Sequence, residues 1–253
     1  METKSTTVDT IRRPIRGPQA PPMKQIKPAG LTSGRQITSS PTAVVYCEGN
    51  FAQIDGKTAN GLVRHSQAYR ILSVIDSTYI GQDSGTVLDD VSNSIPIFGH
   101  LEAAVALDAV IPDTLIYGMA PSTGRLSTAD RGVVLQAIEL GMNIVSGLHE
   151  YLSDDKEIAN AASMRNVTIR DIRKPTPSKD MRLFDGSVAG VKALRIAVLG
   201  TDCAIGKRTT ATVLARALNA KGIKTVLVGT GQTGLMQGAK YGIAMDAVPP
   251  QFC

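Results

Sequence analysis

Leu194-Arg-Ile-Ala-Val-Leu-Gly200-Thr-Asp-Cys-Ala-Ile-Gly206-Lys207-Arg208-Thr209-Thr210 reads as an apolar strand, a tight turn and the start of a helix. The first amides of a helix have no internal partners and carry partial positive charge, so an anion sits well there. Gly200, Thr201 and Gly206 let the backbone wrap a phosphate, and Lys207 adds a mobile positive charge. The usual phosphate loop is spaced G-x4-G-K-[ST]. Here Thr201 stands at the first-glycine place, Arg208 takes the Ser/Thr place that holds Mg²⁺, and Thr209 follows one step later. Phosphate cradling survives these changes, whereas magnesium coordination is put in question. Gly200, Thr201, Gly206, Lys207, Arg208 and Thr209 are therefore expected to bind a phosphate-bearing cofactor, ATP or coenzyme A.

Upstream of this loop, strand and helix signals alternate. Short apolar runs at 42–47, 71–76, 95–98, 114–118, 143–147 and 167–172 read as strands. Helices are expected at 57–69 and 100–110, from the Ser127/Asp130 capping signal to Gly141, and from a Ser153 cap to about 164. Such alternation implies an α/β fold with a parallel, doubly wound sheet, whose βα loops gather at the carboxyl ends of the strands. Residues 1–41 carry six prolines and no apolar period and are read as a disordered basic tail. The first domain then spans 42–172, a linker 173–192, and the phosphate-loop domain 193–253. In that last part, strands are expected at 194–199 and 225–228, a helix at 207–220 and a glycine-rich loop at 229–234. One helix cannot cover both faces of such a sheet, so this domain is expected to be partial, with a fragment favoured over completion by something else.

Composition narrows the function classes. The net charge of +5 resides in residues 1–40, which hold seven basic and two acidic side chains; the remainder is balanced. A nucleic-acid-binding body is therefore not expected. Three cysteines without metal or disulfide spacing fit a reducing, cytoplasmic compartment. No apolar run reaches the roughly 18 residues that span a bilayer. The three histidines are too scattered for a zinc site, and no metal site is expected.

Several side chains are candidates for chemistry. Asp202, inside the loop, can act as a base or metal ligand or cap the following helix. Cys203 has no histidine partner in sequence and reads as a small buried filler. Gln232 and Thr233 follow the next strand and can orient a substrate. Lys57 and Thr58 open a helix after Gly49-Asn-Phe-Ala-Gln-Ile-Asp-Gly56 and can hold an anion, with Arg64 and His65 further along. Asp76 ends the second strand, where a ribose-binding acid is often placed. His149 directly follows a strand and is a candidate general acid/base.

At GTDCAIGK the sequence resembles the phosphate loop of dethiobiotin synthetase-like enzymes. Together with CEGN (47–50), IDGKTANGLVRHS (54–66), VIDST (74–78), GLHEYLSDD (147–155) and GTGQTG (229–234), it resembles the DgcN family over nearly everything after residue 42. That resemblance implies a Rossmann-like parallel-sheet domain followed by a P-loop NTPase-like domain that continues past 253. It implies acetyl-CoA-dependent N-acetyltransfer to an acidic amino acid such as D-glutamate, alongside an enolase-superfamily partner. Lys57, Arg64 or Arg208 could then hold substrate carboxylates, with His65, Gln232 and Thr233 nearby, and His149 or Asp202 would take the proton. The alternatives are an ATP- and Mg²⁺-dependent ligase or kinase-like enzyme of the dethiobiotin synthetase type, or a non-catalytic nucleotide-binding protein. A small-molecule substrate, a homo-oligomer and no membrane or nucleic-acid partner complete the expectation.

Overall fold

The structure is a computed structural model and describes residues 40–106, 111–202, 204–249 and 252. Most of the expected tail, the last turn of the expected 100–110 helix, Cys203 and Cys253 lie outside the described residues. The described residues fall into two units, one of them limited to Asp185–Lys192 with a 3-10 turn at Ser187–Gly190. Everything below concerns the other.

Along the chain come β1 (Thr42–Tyr46), α1 (Lys57–His65), β2 (Arg70–Ile75), α2 (Ser84–Asp89) and β3 (Ile97–Phe98). Next are α3 (Leu101–Val105), β4 (Thr114–Tyr117), α4 (Thr128–Glu139), β5 (Asn143–Ser146), α5 (Lys156–Arg165) and β6 (Ile169–Asp171). The six strands form one parallel sheet in the order β3-β2-β1-β4-β5-β6. This is the doubly wound order, with its topological switch point between β1 and β4. Ala43, Val44 and Val45 are fully buried, as are Leu115, Ile116 and Ile144, because helices cover both faces.

Local sequence explains the helix boundaries. In α4 the Ser127 hydroxyl accepts from the Asp130 amide while the Asp130 carboxylate accepts from the Ser127 amide, the expected capping box. The same carboxylate accepts from Tyr46 at 2.8 Å and Tyr117 at 2.9 Å, which ties the helix start to β1 and β4. The cap of α5 is Asp155 rather than Ser153: its carboxylate accepts from the Glu157 and Ile158 amides, while Ser153 sits in a 3-10 turn one step earlier. Arg131 of α4 pairs with that carboxylate through two bonds, holding α4 to α5. Helix α2 is absent from the expected helices because its run of Gly, Asp and Ser has loop composition; Asp83 caps it by accepting from the Gly85 and Thr86 amides.

After the linker come α6 (Lys207–Ala220), β7 (Val228–Gly229), α7 (Gln232–Met236) and β8 (Tyr241–Gly242). Helix α6 has the expected bounds. The expected strand at 194–199 is not formed, and that at 225–228 shrinks to β7, which pairs in parallel with β8. A strand exists through its ladder, and no strand lies beside 194–199 among the described residues. Leu194, Ile196 and Leu199 are accordingly 88%, 58% and 85% exposed. The glycine-rich loop expected at 229–234 runs into α7, whose Met236 is buried in the core of the six-stranded sheet. Among the described residues no helix is long and apolar enough to cross a membrane.

Candidate functional site

Gly206 enters α6 with φ +92°, a conformation open chiefly to glycine, and as the N-cap residue it offers the helix no side-chain cap. The first-turn amides of α6 have no partner within the helix and none from the Gly206 side, the arrangement that attracts phosphate. Ala204 also lies in the left-handed region, at φ +56°. A Cβ at Gly200 would come 2.5 Å from Ile205 and 2.9 Å from the Lys207 side chain, so the absent side chain is what lets Lys207 fold across the loop. The Lys207 ammonium donates to the Asp202 carbonyl. Gly200, Thr201, Asp202 and Gly206 are exposed; Thr209 is partly covered.

Arg208 does not face the loop. Its guanidinium lies against α1, where a Cβ on Gly61 would meet Nη1 at 2.5 Å and Nη2 at 2.6 Å. Its Nε is buried without a hydrogen-bond partner among the described residues. Burial, with the nearby Arg64 charge, lowers its pKa. One helical row further, Arg216 donates to the His65 carbonyl at 3.0 Å and contacts its Nδ1 at 3.3 Å. Burial and then the Arg216, Arg208 and Arg64 charges push the His65 pKa down.

These contacts revise two expected substrate ligands. Arg64 is held by Asp89 through bonds of 2.7 and 2.6 Å, so its fork is already filled by a carboxylate. His65 belongs to the α1–α6 contact. The expected anion site at the start of α1 is also closed. The Ala59 amide donates to the Gly118 carbonyl at 2.9 Å, and the buried Thr58 hydroxyl bonds that of Thr233 at 2.9 Å. Lys57 stays exposed. Asp76, the expected ribose ligand, is fully buried and accepts from the Phe51 and Thr78 amides, which ties the loop after β1 to the end of β2. Burial pushes the Cys47 thiol up, so it is an inert core group.

The carboxyl edge of the sheet does gather His149, Gln232 and Thr233. Gln232 packs over Gly147 at the end of β5, where a Cβ would lie 3.0 Å from its Cγ. His149 is exposed and its amide donates to the Gly124 carbonyl at 3.0 Å. Partial burial and the charge of Arg173 lower its pKa, so the ring is neutral near pH 7 and able to accept a proton. Three further residues went unread in the sequence: Gly61, Gln237 and Arg173. The Gln237 side-chain amide donates to the Gly61 carbonyl, and the Gln237 main-chain carbonyl accepts from the Gln67 and Ala68 amides. Arg173, 7% exposed, donates to the Gly147 carbonyl at 2.7 Å and pairs with Asp246. A glycine inside a helical pattern was the available signal for Gly61, since it marks close backbone approach.

A doubly wound sheet joined to an uncapped phosphate-type loop defines an α/β protein with Rossmann-like and P-loop parts. The comparisons give the family. Residues 77–175 match the domain of unknown function DUF1611_N, a Rossmann-like domain, and residues 182–253 match DUF1611_C, a P-loop domain. The chain belongs to the DUF1611 family. A D-glutamate N-acetyltransferase of Tritonibacter scottomollicae is 36% identical over 60% of this chain and 43% of its own length. A protein of the same name from a Pseudoalteromonas species is 34% identical over 55% of this chain and 40% of its own. The chain thus spans less than half the length of these relatives. The crystal structure of a DUF1611 family protein from Anabaena variabilis superposes with a TM-score of 0.74 at 29% identity, covering 84% of this chain and 60% of that one.

Proposed function

We propose that the chain carries the cofactor-holding part of an acetyl-CoA-dependent N-acetyltransferase acting on an acidic amino acid of the D-glutamate type. The observation that supports it most is the uncapped first turn of α6 with Lys207 folded across the loop, because this suits the phosphates of coenzyme A. The names of the two relatives supply the reaction class. When bound, acetyl-CoA supplies an acyl group on a thioester. The α6 amides and Lys207 would hold its phosphates. Gln232 would orient the amino acid at the carboxyl edge of the sheet, with Lys57 available to a carboxylate; Thr233, whose buried hydroxyl is engaged by Thr58, would hold this segment in place. His149, neutral near pH 7, or Asp202 would take the proton that the substrate ammonium must lose before its nitrogen can form the amide bond.

Two measurements test this reading. Incubation with acetyl-CoA and D-glutamate should yield the N-acetyl product and free thiol. In thermal-shift assays, coenzyme A at about 100 times its Kd should stabilise the protein by ~2.7 kcal/mol. Lys207→Ala should lose that shift. Stabilisation by Mg²⁺–ATP alone, with none by coenzyme A, would replace this reading with a dethiobiotin synthetase-like one.

A further inference from the structure

We propose that Arg208 is a positioning residue that makes the phosphate loop metal-independent: seated on Gly61, it stands in the place of the metal-binding hydroxyl and pins the first turn of α6 to α1. This rests on the reading of the loop as a phosphate site.

A magnesium-using phosphate loop needs a hydroxyl directly after its lysine, at the helix start. Here that place is Arg208, and its guanidinium contacts the bare backbone of Gly61 instead of the loop. A side chain at position 61 would occupy the seat, so the glycine and the arginine form a matched pair. Arg216 repeats the contact further along, on His65, so one row of α6 lies on α1. The resulting field is cationic. Arg64 and Arg216 lie at the same α1–α6 contact as Arg208, and the Asp89 carboxylate is held by Arg64; His65, its pKa lowered there, adds no charge near pH 7. A divalent cation beside these groups is repelled, whereas phosphate oxygens are attracted. The loop is left with amides and Lys207 to neutralise phosphate.

Calorimetry with coenzyme A and with pyrophosphate, in MgCl₂ or in EDTA, tests the proposal on three proteins. Wild type should bind equally, within about twofold, in either buffer. Arg208→Ser restores the hydroxyl, and Mg²⁺ should tighten its binding by about tenfold or more. Gly61→Ala blocks the seat while keeping the arginine; it should weaken binding at least about threefold, without creating metal dependence. Wild-type binding that requires Mg²⁺ overturns the proposal, as does metal-indifferent binding by Arg208→Ser or unchanged affinity in Gly61→Ala. The wild-type and Gly61→Ala arms decide even if Arg208→Ser does not fold. If wild type binds neither ligand in either buffer, the phosphate-site reading falls and this inference with it.

Discussion

The hydroxyls of Thr58 and Thr233, 175 positions apart, share a buried hydrogen bond of 2.9 Å. One opens α1 and the other lies in α7, so this bond fastens the glycine-rich segment after β7 to the sheet's first helix. Replacing either threonine by valine leaves a buried hydroxyl unpaired, at a cost of about 1–3 kcal/mol. Replacing both removes the unmet need along with the bond. We expect Thr58→Val and Thr233→Val each to destabilise, and the double variant to lose less than the sum. A double-mutant cycle from urea melts measures the difference.

Two glycines, Gly61 within α1 and Gly118 packed against it, should respond differently to alanine. A Cβ at Gly118 would meet Val45 Cγ1 at 2.5 Å and Ala59 Cβ at 2.9 Å, in the packed core at the switch point. Gly118→Ala should cost about 1–3 kcal/mol from overpacking. At Gly61 the obstacle is the free end of the Arg208 side chain, which can swing away. Alanine there also favours α1 by up to about 1 kcal/mol. Gly61→Ala should therefore melt no lower than wild type, while Gly118→Ala melts lower. Differential scanning calorimetry separates the two.

His149 predicts a pH dependence. Its pKa lies below the ordinary histidine value of 6.5, through burial and Arg173. If it takes the ammonium proton, kcat/KM should fall on the acid side along a limb whose midpoint lies below that value. His149→Gln should lose the limb and about 10²-fold or more in kcat. A limb unchanged in the variant would assign the proton to another group, Asp202 first.

His65 should make stability fall in mild acid. Its folded-state pKa is depressed, so between that value and 6.5 the unfolded chain binds more protons than the folded one. Stability then rises with pH across this window and is lost as pH drops through it. The melting temperature of wild type, compared with His65→Asn at about pH 7.5 and about pH 5.5, should show the larger acid-side drop in wild type. An equal drop in both proteins would mean that burial and the three arginines do not discriminate against protonated His65.

Much of the fold was legible before any coordinates. Apolar runs such as 42–47 and 143–147, too short for a helix and placed between helical segments, read as strands buried on both faces, and Ser127 with Asp130 writes its capping box locally. The phosphate loop was legible for the same reason: its chemistry lies in consecutive residues around Gly206 and Lys207. What local sequence cannot carry is which neighbour a side chain meets. Arg64 reads as a free cation until Asp89 is folded beside it, and Asp76 as a ribose ligand until the Phe51 amide reaches it. Strand 194–199 failed for a related reason, because apolar character proposes a strand but only a partner ladder completes it. Tertiary contact alone decided that Arg208 turns from the loop to Gly61, since that choice depends on a backbone 147 positions earlier arriving without a side chain.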